Sequence, residues 1–317
     1  MSGGVTRLNG SLRYLSRNDV RRLLPLAREQ RELAETTYRA LAAGRIELPP
    51  KPGVHPREDS FIHAMPAYLR DDDVAALKWV SGYATNKSRG LPYISGLVIV
   101  NDGATGEVVG VMDASEITAA RTAAASAVCV AHFAPSGWRH AALIGCGEQG
   151  RYHAQILNAL YESAELTAYD RHPERATELV GSARVAASAH DAASGAEVVI
   201  TAIPIAKNAR PALGGSAVRG RRVVIAIDFD ASIGADVVQQ ADLFLVDDRE
   251  QFEYYQGLGY FADWRAPDAT IGEALSLRSH AENVVCCPLG VAALDAAFAA
   301  YVLNEAQRQE VGHELPA

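Results

Sequence analysis

The stretch LIGCGEQGRYH, residues 143–153, decides the fold of much of this chain. Its glycines at 145, 147 and 150 have the spacing of a dinucleotide-binding turn. The apolar segment AALI runs directly into Gly145, and the residues after Gly147 can begin a helix. The next strand-like segment, LTAY, ends at Asp170, twenty residues after Gly150. This context on both sides favours a nucleotide site over a turn with only a structural purpose.

Each glycine has its own physical purpose in such a turn. Gly145 permits the tight bend, Gly147 lets backbone N–H groups approach a pyrophosphate, and Gly150 allows the helix to pack closely on the strand. The positive end of the helix dipole favours the phosphate charge. We therefore expect residues 119–285 to form a Rossmann domain that binds a nicotinamide cofactor.

Asp170 indicates which cofactor is bound. Its carboxylate can accept hydrogen bonds from the adenosine ribose hydroxyls and would repel a 2′-phosphate, so NAD is predicted over NADP. Arg171 and Arg175 follow closely and leave the alternative open, because either arginine could bind that phosphate.

The chain predicts an α/β fold with a second domain. After an alanine-rich helix over Glu116–Phe133, apolar strand-like runs alternate with helix-length segments, which is typical of a parallel sheet; the runs are Ala141–Ile144, Leu166–Tyr169, Val198–Ala202, Val223–Ile227 and Leu243–Val246. The first 118 residues instead predict helices followed by a largely antiparallel sheet. We expect the C-terminal helix, within residues 286–317, to pack back on this first domain and complete a split α+β substrate-binding domain.

Composition excludes several classes of protein. The net charge of −8 argues against a nucleic-acid partner, and no run approaches the ~18 apolar residues of a membrane span. The N-terminus lacks the apolar region of a secretory signal. The four cysteines form no C-x-x-C pair and no metal-ligand spacing, so we expect free thiols, no metal site and a cytoplasmic location.

Three cations of the first domain are candidates for binding a substrate: Lys51 in a proline-rich loop, Lys78 in the apolar segment AALKWVSG, and Arg121 among small residues of a helix. A lysine in an apolar strand is costly to bury unless an anion pairs with it. The alternatives are a lysine that reaches solvent from an edge strand and an arginine on a helix surface.

Asp228 and Asp230 follow the apolar strand VVIAI. Ligands of parallel sheets bind at the carboxyl ends of the strands, so one of these carboxylates is expected to face the nicotinamide. A turn or helix-capping aspartate is the alternative. The scattered histidines, His63, His132, His140 and His153 among them, are expected to be core or surface residues.

Several segments together resemble the ornithine cyclodeaminase/mu-crystallin family. They are HAMPAYL, LKWVSGYATN, GLVIVNDGATGEVVGVMDASEITAARTAAASA, IGCGEQG and PLGVAALDAA, which occur in this order between about residues 15 and 310. The resemblance implies a Rossmann domain inserted in a split substrate-binding and dimerisation domain, and a homodimer. It also implies hydride chemistry at a carbon that carries nitrogen beside a carboxylate.

The resemblance assigns the substrate site. Lys78 matches the lysine that binds the substrate and acts in proton transfer, and Arg121 matches the arginine that contacts both the substrate carboxylate and the cofactor. Asp230 matches the catalytic aspartate of the cyclodeaminases, although Asp228 competes for the same place. Leu289 and Met65 are assigned to the substrate pocket.

For the cofactor, Glu148 and Gln149 match the loop pair whose backbone meets the pyrophosphate, and Asp170 matches the ribose-binding acid. The remaining residues predicted to contact the cofactor are Tyr93, Arg171, Ile203, Ile227 and Asp228.

Two departures weaken the cyclodeaminase assignment within the family. Several members have an arginine before the M-P motif, where this chain has Lys51, with Arg57 nearby as a possible substitute. Lysine cannot make the two-pronged contact of arginine with a carboxylate. The cyclodeaminases also place CPGK after their aspartate, and this chain has ASIG at 231–234.

We therefore predict an NAD-dependent amino-acid dehydrogenase or imine reductase that acts on a C–N bond. Lys78 and Arg121, helped by Lys51, would hold the carboxylate of a small amino or imino acid, and Asp230 or Asp228 would stabilise charge or move a proton. An ornithine or lysine cyclodeaminase and a non-catalytic nicotinamide-binding protein of the mu-crystallin type are the alternatives.

Overall fold

In the computed structural model, which describes residues 10–58, 60–179, 184–207, 209–216, 218, 220–277 and 281–316, the chain forms two compact units. Unit 1 comprises Met1–Arg121 and Val291–Ala317, and unit 2 comprises Thr122–Gly290. The predicted borders were 118/119 and 285/286. Unit 2 is thus inserted between the two segments of unit 1.

The first segment of unit 1 begins with a strand and two helices and continues as a series of strands. Its elements are β1 (Ser11–Leu15), α1 (Arg17–Leu23), α2 (Ala27–Ala42), β2 (Ile46–Glu47), β3 (Gly53–Val54), β4 (Ser60–Leu69), β5 (Val74–Tyr83), β6 (Ile94–Asp102), β7 (Val108–Asp113) and α3 (Ala114–Phe133), whose end lies in unit 2. α1 begins with a capping box, in which the Ser16 hydroxyl accepts from the Asp19 N–H and the Asp19 carboxylate accepts from the Ser16 N–H.

Unit 2 alternates strands and helices as predicted. Its elements are β8 (His140–Ile144), α4 (Glu148–Leu160), β9 (Glu165–Tyr169), α5 (Pro173–Thr177), β10 (Arg184–Val185), α6 (Ala189–Ala193), β11 (Val198–Thr201), β12 (Arg222–Ala226), α7 (Ala235–Gln239), β13 (Leu243–Val246), α8 (Arg249–Gly257), β14 (Ala269–Thr270), α9 (Ile271–Ala274) and β15 (Asn283–Cys287). The chain then returns to unit 1 through α10 (Ala292–Arg308) and β16 (His313–Pro316).

The sheet of unit 1 has the strand order β16-β1-β7-β6-β5-β4-β2, with β3 paired to β4. The β4–β5–β6–β7 part is antiparallel, as predicted, and β1 pairs with β7 in parallel. On β5, Val74, Ala76, Lys78 and Val80 are buried while Trp79 is exposed, so the strand alternates between two faces. α10 packs against β4 and β5, which confirms the predicted return of this helix to the first domain.

The sheet of unit 2 is parallel in the order β10-β9-β8-β11-β12-β15-β13-β14. The strand order reverses beside β8, where the next strands along the chain continue on opposite sides. At such a switch point, loops after neighbouring strands diverge and leave a crevice for a ligand. Gly145, Asp170 and Asp228 therefore all lie at the carboxyl ends of strands of this sheet.

Among the described helices, none combines the length and the apolar character needed to cross a membrane.

Candidate active site

The turn after β8 requires two of its three glycines. Gly145 has a positive φ of 96°, and a Cβ there would lie 2.5 Å from the carbonyl oxygen of Ala202. A Cβ at Gly150 would lie 2.2 Å from the carbonyl oxygen of Gly145. Both clashes are with backbone atoms, which cannot rotate away as a side chain can. The close approach of α4 to β8 therefore depends on glycine at both positions.

Gly147 differs from its two neighbours. A Cβ at this position would meet no heavy atom of the described residues within 4 Å, so protein packing does not demand glycine here. Gly147 is the N-cap of α4, and its helix start has no side-chain cap. The first N–H groups of a helix have no intrahelical acceptor and attract anions. Open space in front of an uncapped helix start fits a phosphate group.

Asp170 is oriented by the same turn. One carboxylate oxygen accepts from the Cys146 N–H at 2.9 Å and the other from the His172 N–H at 2.9 Å. The Arg175 guanidinium lies 3.9 Å from the second oxygen, and Arg171 is exposed. An ionised carboxylate offers about four acceptor positions, so Asp170 retains capacity for ribose hydroxyls.

Asp228 is the centre of a buried network. Its side chain accepts from the Thr201 hydroxyl at 2.6 Å, the Ser232 hydroxyl at 2.6 Å and the Ile203 N–H at 3.1 Å. Asp228 is 1% exposed, and burial raises its pKa to about 6. The network connects the loop after β11, which contains Ile203, to the loop after β12. A second bond between these loops is donated by the Ile227 N–H to the Thr201 carbonyl oxygen at 3.1 Å.

Asp230 has a different environment. It is half-buried, and its carboxylate accepts from the Phe261 N–H at 2.7 Å. Burial raises the pKa of Asp230 above its ordinary value. Phe229, just before it, and Phe261, its hydrogen-bond donor, have positive φ angles of 61° and 55°. Residues other than glycine adopt this conformation at a cost, so the backbone is strained just before Asp230 and at its hydrogen-bond donor Phe261.

In unit 1, the structure brings two of the predicted cations together on one buried acid. The Nζ of Lys78 lies 2.7 Å from Oδ2 of Asp295, and the Nε of Arg121 lies 3.0 Å from Oδ1. Lys78 is also 3.4 Å from the Thr118 hydroxyl. Lys78, Arg121 and Asp295 are 2%, 7% and 1% exposed. We call these three residues the buried ion cluster.

The alternatives of a solvent-reaching lysine and a surface arginine are wrong, since both side chains are buried. The two cations are not by themselves, because an acid lies between them. Asp295 on α10 balances one of the two charges, which leaves the cluster with a net charge of +1. Asp295 escaped the sequence analysis, although it is the single charged residue in VAALDAAFAA, residues 291–300. A buried lysine in one apolar segment predicts a buried acid in another.

Burial lowers the pKa of Lys78 to about 8, an effect that Asp295 opposes and Arg121 reinforces. Met65 lies directly opposite Lys78 across the β4–β5 pair and is also buried. His63, two residues earlier, shares that face of the sheet. Its pKa is lowered to about 4 by burial and then by the charges of Lys51, His55 and Lys78. Lys51 lies close to β4, because the carbonyl oxygen of the next residue, Pro52, accepts from the Ala64 N–H at 2.9 Å.

The remaining predicted residues are more scattered. Leu289 is buried in unit 2, and its N–H and that of Gly290 each donate at 2.9 Å to the carboxylate of Asp247, which the sequence analysis did not single out. Tyr93, just before β6, is 37% exposed. His153 is a satisfied core histidine, as expected, with ring nitrogens 2.7 Å from Gln149 O and 2.9 Å from the Ser126 hydroxyl.

The sequence was compared with models of known protein families. The model of the ornithine cyclodeaminase/mu-crystallin family matches residues 13–310. The chain belongs to this family. The predicted membership is confirmed.

Two known proteins are similar to this chain over nearly its whole length. A nodulation efficiency protein of Rhizobium meliloti is 34% identical over 95% of this chain and 97% of its own length. Alanine dehydrogenase of Archaeoglobus fulgidus is 28% identical over the same shares of the two chains.

Two similar solved structures confirm the α/β fold with a parallel sheet. An archaeal alanine dehydrogenase dimer with bound NAD has a TM-score of 0.84 and 27% identity, covering 96% of this chain and 99% of that chain. The Δ1-pyrroline-2-carboxylate reductase of Thermococcus litoralis, solved with NADH and L-proline, has a TM-score of 0.84 and 25% identity, covering 96% and 100%.

Proposed function

We propose that this protein is an NAD-dependent oxidoreductase that acts on the C–N bond of a small amino or imino acid, as an amino-acid dehydrogenase or an imine reductase. The observation that carries the proposal is the buried ion cluster of Lys78, Arg121 and Asp295. Two buried cations against one acid leave a positive charge that a single substrate carboxylate can neutralise. The full-length similarity to an alanine dehydrogenase supports the same class of reaction.

Unit 2 binds NAD in this proposal. The residues fit the cofactor, because an uncapped helix start faces open space at Gly147 and Asp170 is held beside it by the Cys146 N–H. Gly145 and Gly150 shape the turn. When bound, NAD accepts a hydride from the substrate carbon or, in reduced form, returns one. The carboxylate of Asp170 disfavours a 2′-phosphate, so NADP is the weaker ligand.

The other cofactor contacts remain those predicted from the sequence. Glu148 and Gln149 would present the N–H groups of the helix start, and Ile203, Ile227 and Asp228 belong to the loops that the Asp228 network fixes. Tyr93, Arg121 and Arg171 complete the proposed set.

Unit 1 binds the substrate carboxylate in this proposal. Lys78 and Arg121 hold it, with Lys51 as a third cation, while Met65 and Leu289 supply apolar contacts. Lys78 has a pKa near 8, lowered by burial, and can therefore exchange a proton near neutral pH. Positioning of the reacting carbon is the main contribution of such a binding site to the rate.

Asp230 rather than Asp228 is the proposed reactive carboxylate. Asp228 already accepts three hydrogen bonds and is 1% exposed, so its place is structural. Asp230 is half-buried, with a raised pKa, as suits a group that stabilises an iminium or moves a proton.

The functional form is proposed to be a homodimer. The face of the unit 1 sheet that carries Trp79 and its cross-strand partner Leu97 exposes both side chains, at 47% and 42%. Neighbouring exposed apolar residues on a sheet mark a surface for association. The similar archaeal alanine dehydrogenase is a dimer, so a second copy of this chain is the proposed partner. The four buried free cysteines fit a cytoplasmic location.

Absorbance at 340 nm tests the function in both directions. We expect NADH to form from NAD with one or more members of an amino-acid panel, and to be consumed with a keto acid plus ammonia or with a cyclic imine. Ornithine converted to a cyclic product with release of ammonia and no net NADH would identify a cyclodeaminase instead. Absence of turnover in every assay, with NAD binding intact, would overturn the proposal in favour of a binding protein.

A further inference from the structure

Asp295 has no part in the reaction proposed above, yet it is as deeply buried as Lys78. Each of its two carboxylate oxygens contacts a different cation, Lys78 on β5 at 2.7 Å and Arg121 on α3 at 3.0 Å. One acid on α10 thus fixes two side chains that belong to two other elements. Lys78 and Arg121 lie far apart in sequence, so the chain itself does not hold their side chains next to each other.

We propose that Asp295 is a positioning residue that holds Lys78 and Arg121 side by side and keeps Lys78 protonated in a site closed to water. This inference rests on the proposed function for the identity of the ligand, a substrate carboxylate. The geometry of the three side chains carries the rest.

The groups that face Lys78 show why the acid is needed. Arg121 and the Thr118 hydroxyl approach from α3, and Asp295 approaches from α10. His63 lies on the same face of β4. Lys51 is the further cation near His63. Among these groups Asp295 is the one anion, and it therefore favours the charged form of Lys78 more strongly than the distant Thr118 hydroxyl does.

Removal of the acid would leave two buried cations without compensation. A buried charge whose partner is deleted loses its proton where it can, and arginine stays charged. Lys78 would therefore become neutral near neutral pH, and the carboxylate site would lose one of its two charged donors. Acidification should restore that proton, which distinguishes a charge-setting role from a purely structural one.

The lysine content allows a direct measurement of Lys78. The chain has only four lysines, at positions 51, 78, 87 and 207, so protein labelled with ¹³C at lysine Cε gives few resonances. The signal of Lys78 is assigned with Lys78→Met. We expect its pKa to fall by about one to two units in Asp295→Asn relative to wild type. This titration needs neither cofactor nor substrate.

The kinetic arm uses the pH profile of kcat/KM. In Asp295→Asn the alkaline limb should shift to lower pH by the same amount as the Lys78 titration, with KM raised about tenfold at pH 8 and recovering toward pH 6. Glu305→Gln is the matched control, because Glu305 lies on the same helix and pairs with Arg308 at the surface. It should leave both the titration and the profile unchanged.

An unchanged pKa of Lys78 in folded Asp295→Asn would overturn the inference, even if the variant melts earlier. Should Asp295→Asn not fold, Asp295→Glu carries the test. It keeps the charge and therefore the Lys78 titration, but its longer side chain displaces both cations, so KM should rise; a wild-type KM would overturn the positioning role. If wild type turns over no substrate while the Lys78 pKa still falls in Asp295→Asn, the proposed function fails and the charge-setting role stands.

Discussion

The substitution Gly147→Ala separates a glycine kept for a ligand from one kept for the fold. A methyl group at Gly147 meets no heavy atom of the described residues within 4 Å, and the φ of −75° is accessible to alanine. Because Gly147 is an N-cap, the free energy of unfolding should fall by less than about 1 kcal/mol. The methyl would, however, occupy the space proposed for the pyrophosphate. We expect the Kd for NAD to rise at least tenfold, which corresponds to about 1.4 kcal/mol.

Titration calorimetry with NAD and thermal unfolding without it measure the two effects separately. Gly257→Ala is the matched control, because Gly257 ends α8 and a Cβ there also meets nothing within 4 Å among the described residues. It should leave the Kd for NAD unchanged, and its free energy of unfolding should stay the same or rise by up to about 1 kcal/mol, since alanine favours a helix over glycine. Gly150→Ala should lower the free energy of unfolding more than Gly147→Ala does, since its Cβ would lie 2.2 Å from the Gly145 carbonyl oxygen, and overpacking of this kind costs about 1–3 kcal/mol. If Gly147→Ala binds NAD within about twofold of wild type, the pyrophosphate does not lie at the start of α4.

Three further outcomes are expected. Burial lowers the pKa of His153 from 6.5 to about 4, so the unfolded chain binds more protons than the folded chain between these pH values. The free energy of unfolding therefore decreases as the pH falls through this range. Urea unfolding at pH 7 and pH 4.5 measures the decrease, and His153→Asn should remove up to about 3 kcal/mol of it. Asp170→Ser removes the charge that repels a 2′-phosphate and should shift the ratio of KM for NADP to KM for NAD by at least about tenfold in favour of NADP, whereas an unchanged ratio would remove Asp170 from the ribose site. Trp79→Arg places a charge on the exposed apolar sheet face and should convert a dimer to a monomer in light scattering; a dimer that survives would move the interface elsewhere.

The parts of the fold that depend on neighbours in sequence were predictable. The glycine turn and the alternating strands of unit 2 each have their cause within about twenty residues. The strand β15 (Asn283–Cys287) was missed because its place is set by distant partners: it lies between β12 and β13, although β13 directly follows β12 among the strands of the chain. No local pattern specifies such an order.

The same distinction explains the candidate site. Lys78 could be selected from one apolar segment, but its partner Asp295 lies more than two hundred residues away on another element. The choice between Asp228 and Asp230 was open for a related reason. Both follow the same strand, and only the packing of Thr201, Ser232 and the Phe261 loop around them gives the two carboxylates different environments.

The backbone around Asp230 adds a reason to prefer it as the reactive carboxylate. Phe229 and Phe261 both have left-handed φ angles, at a cost of about 1–3 kcal/mol each. Their rings are buried with centroids 5.0 Å apart, so packing offsets the strain. A loop needs no such conformations merely to connect two elements, since glycine or an unstrained turn serves equally well. The strain instead fixes the direction of Asp230 through the Phe261 N–H, while Asp228 keeps its loops in place by ordinary hydrogen bonds. We therefore expect the proposed reaction to depend on the orientation of Asp230 more than on that of Asp228.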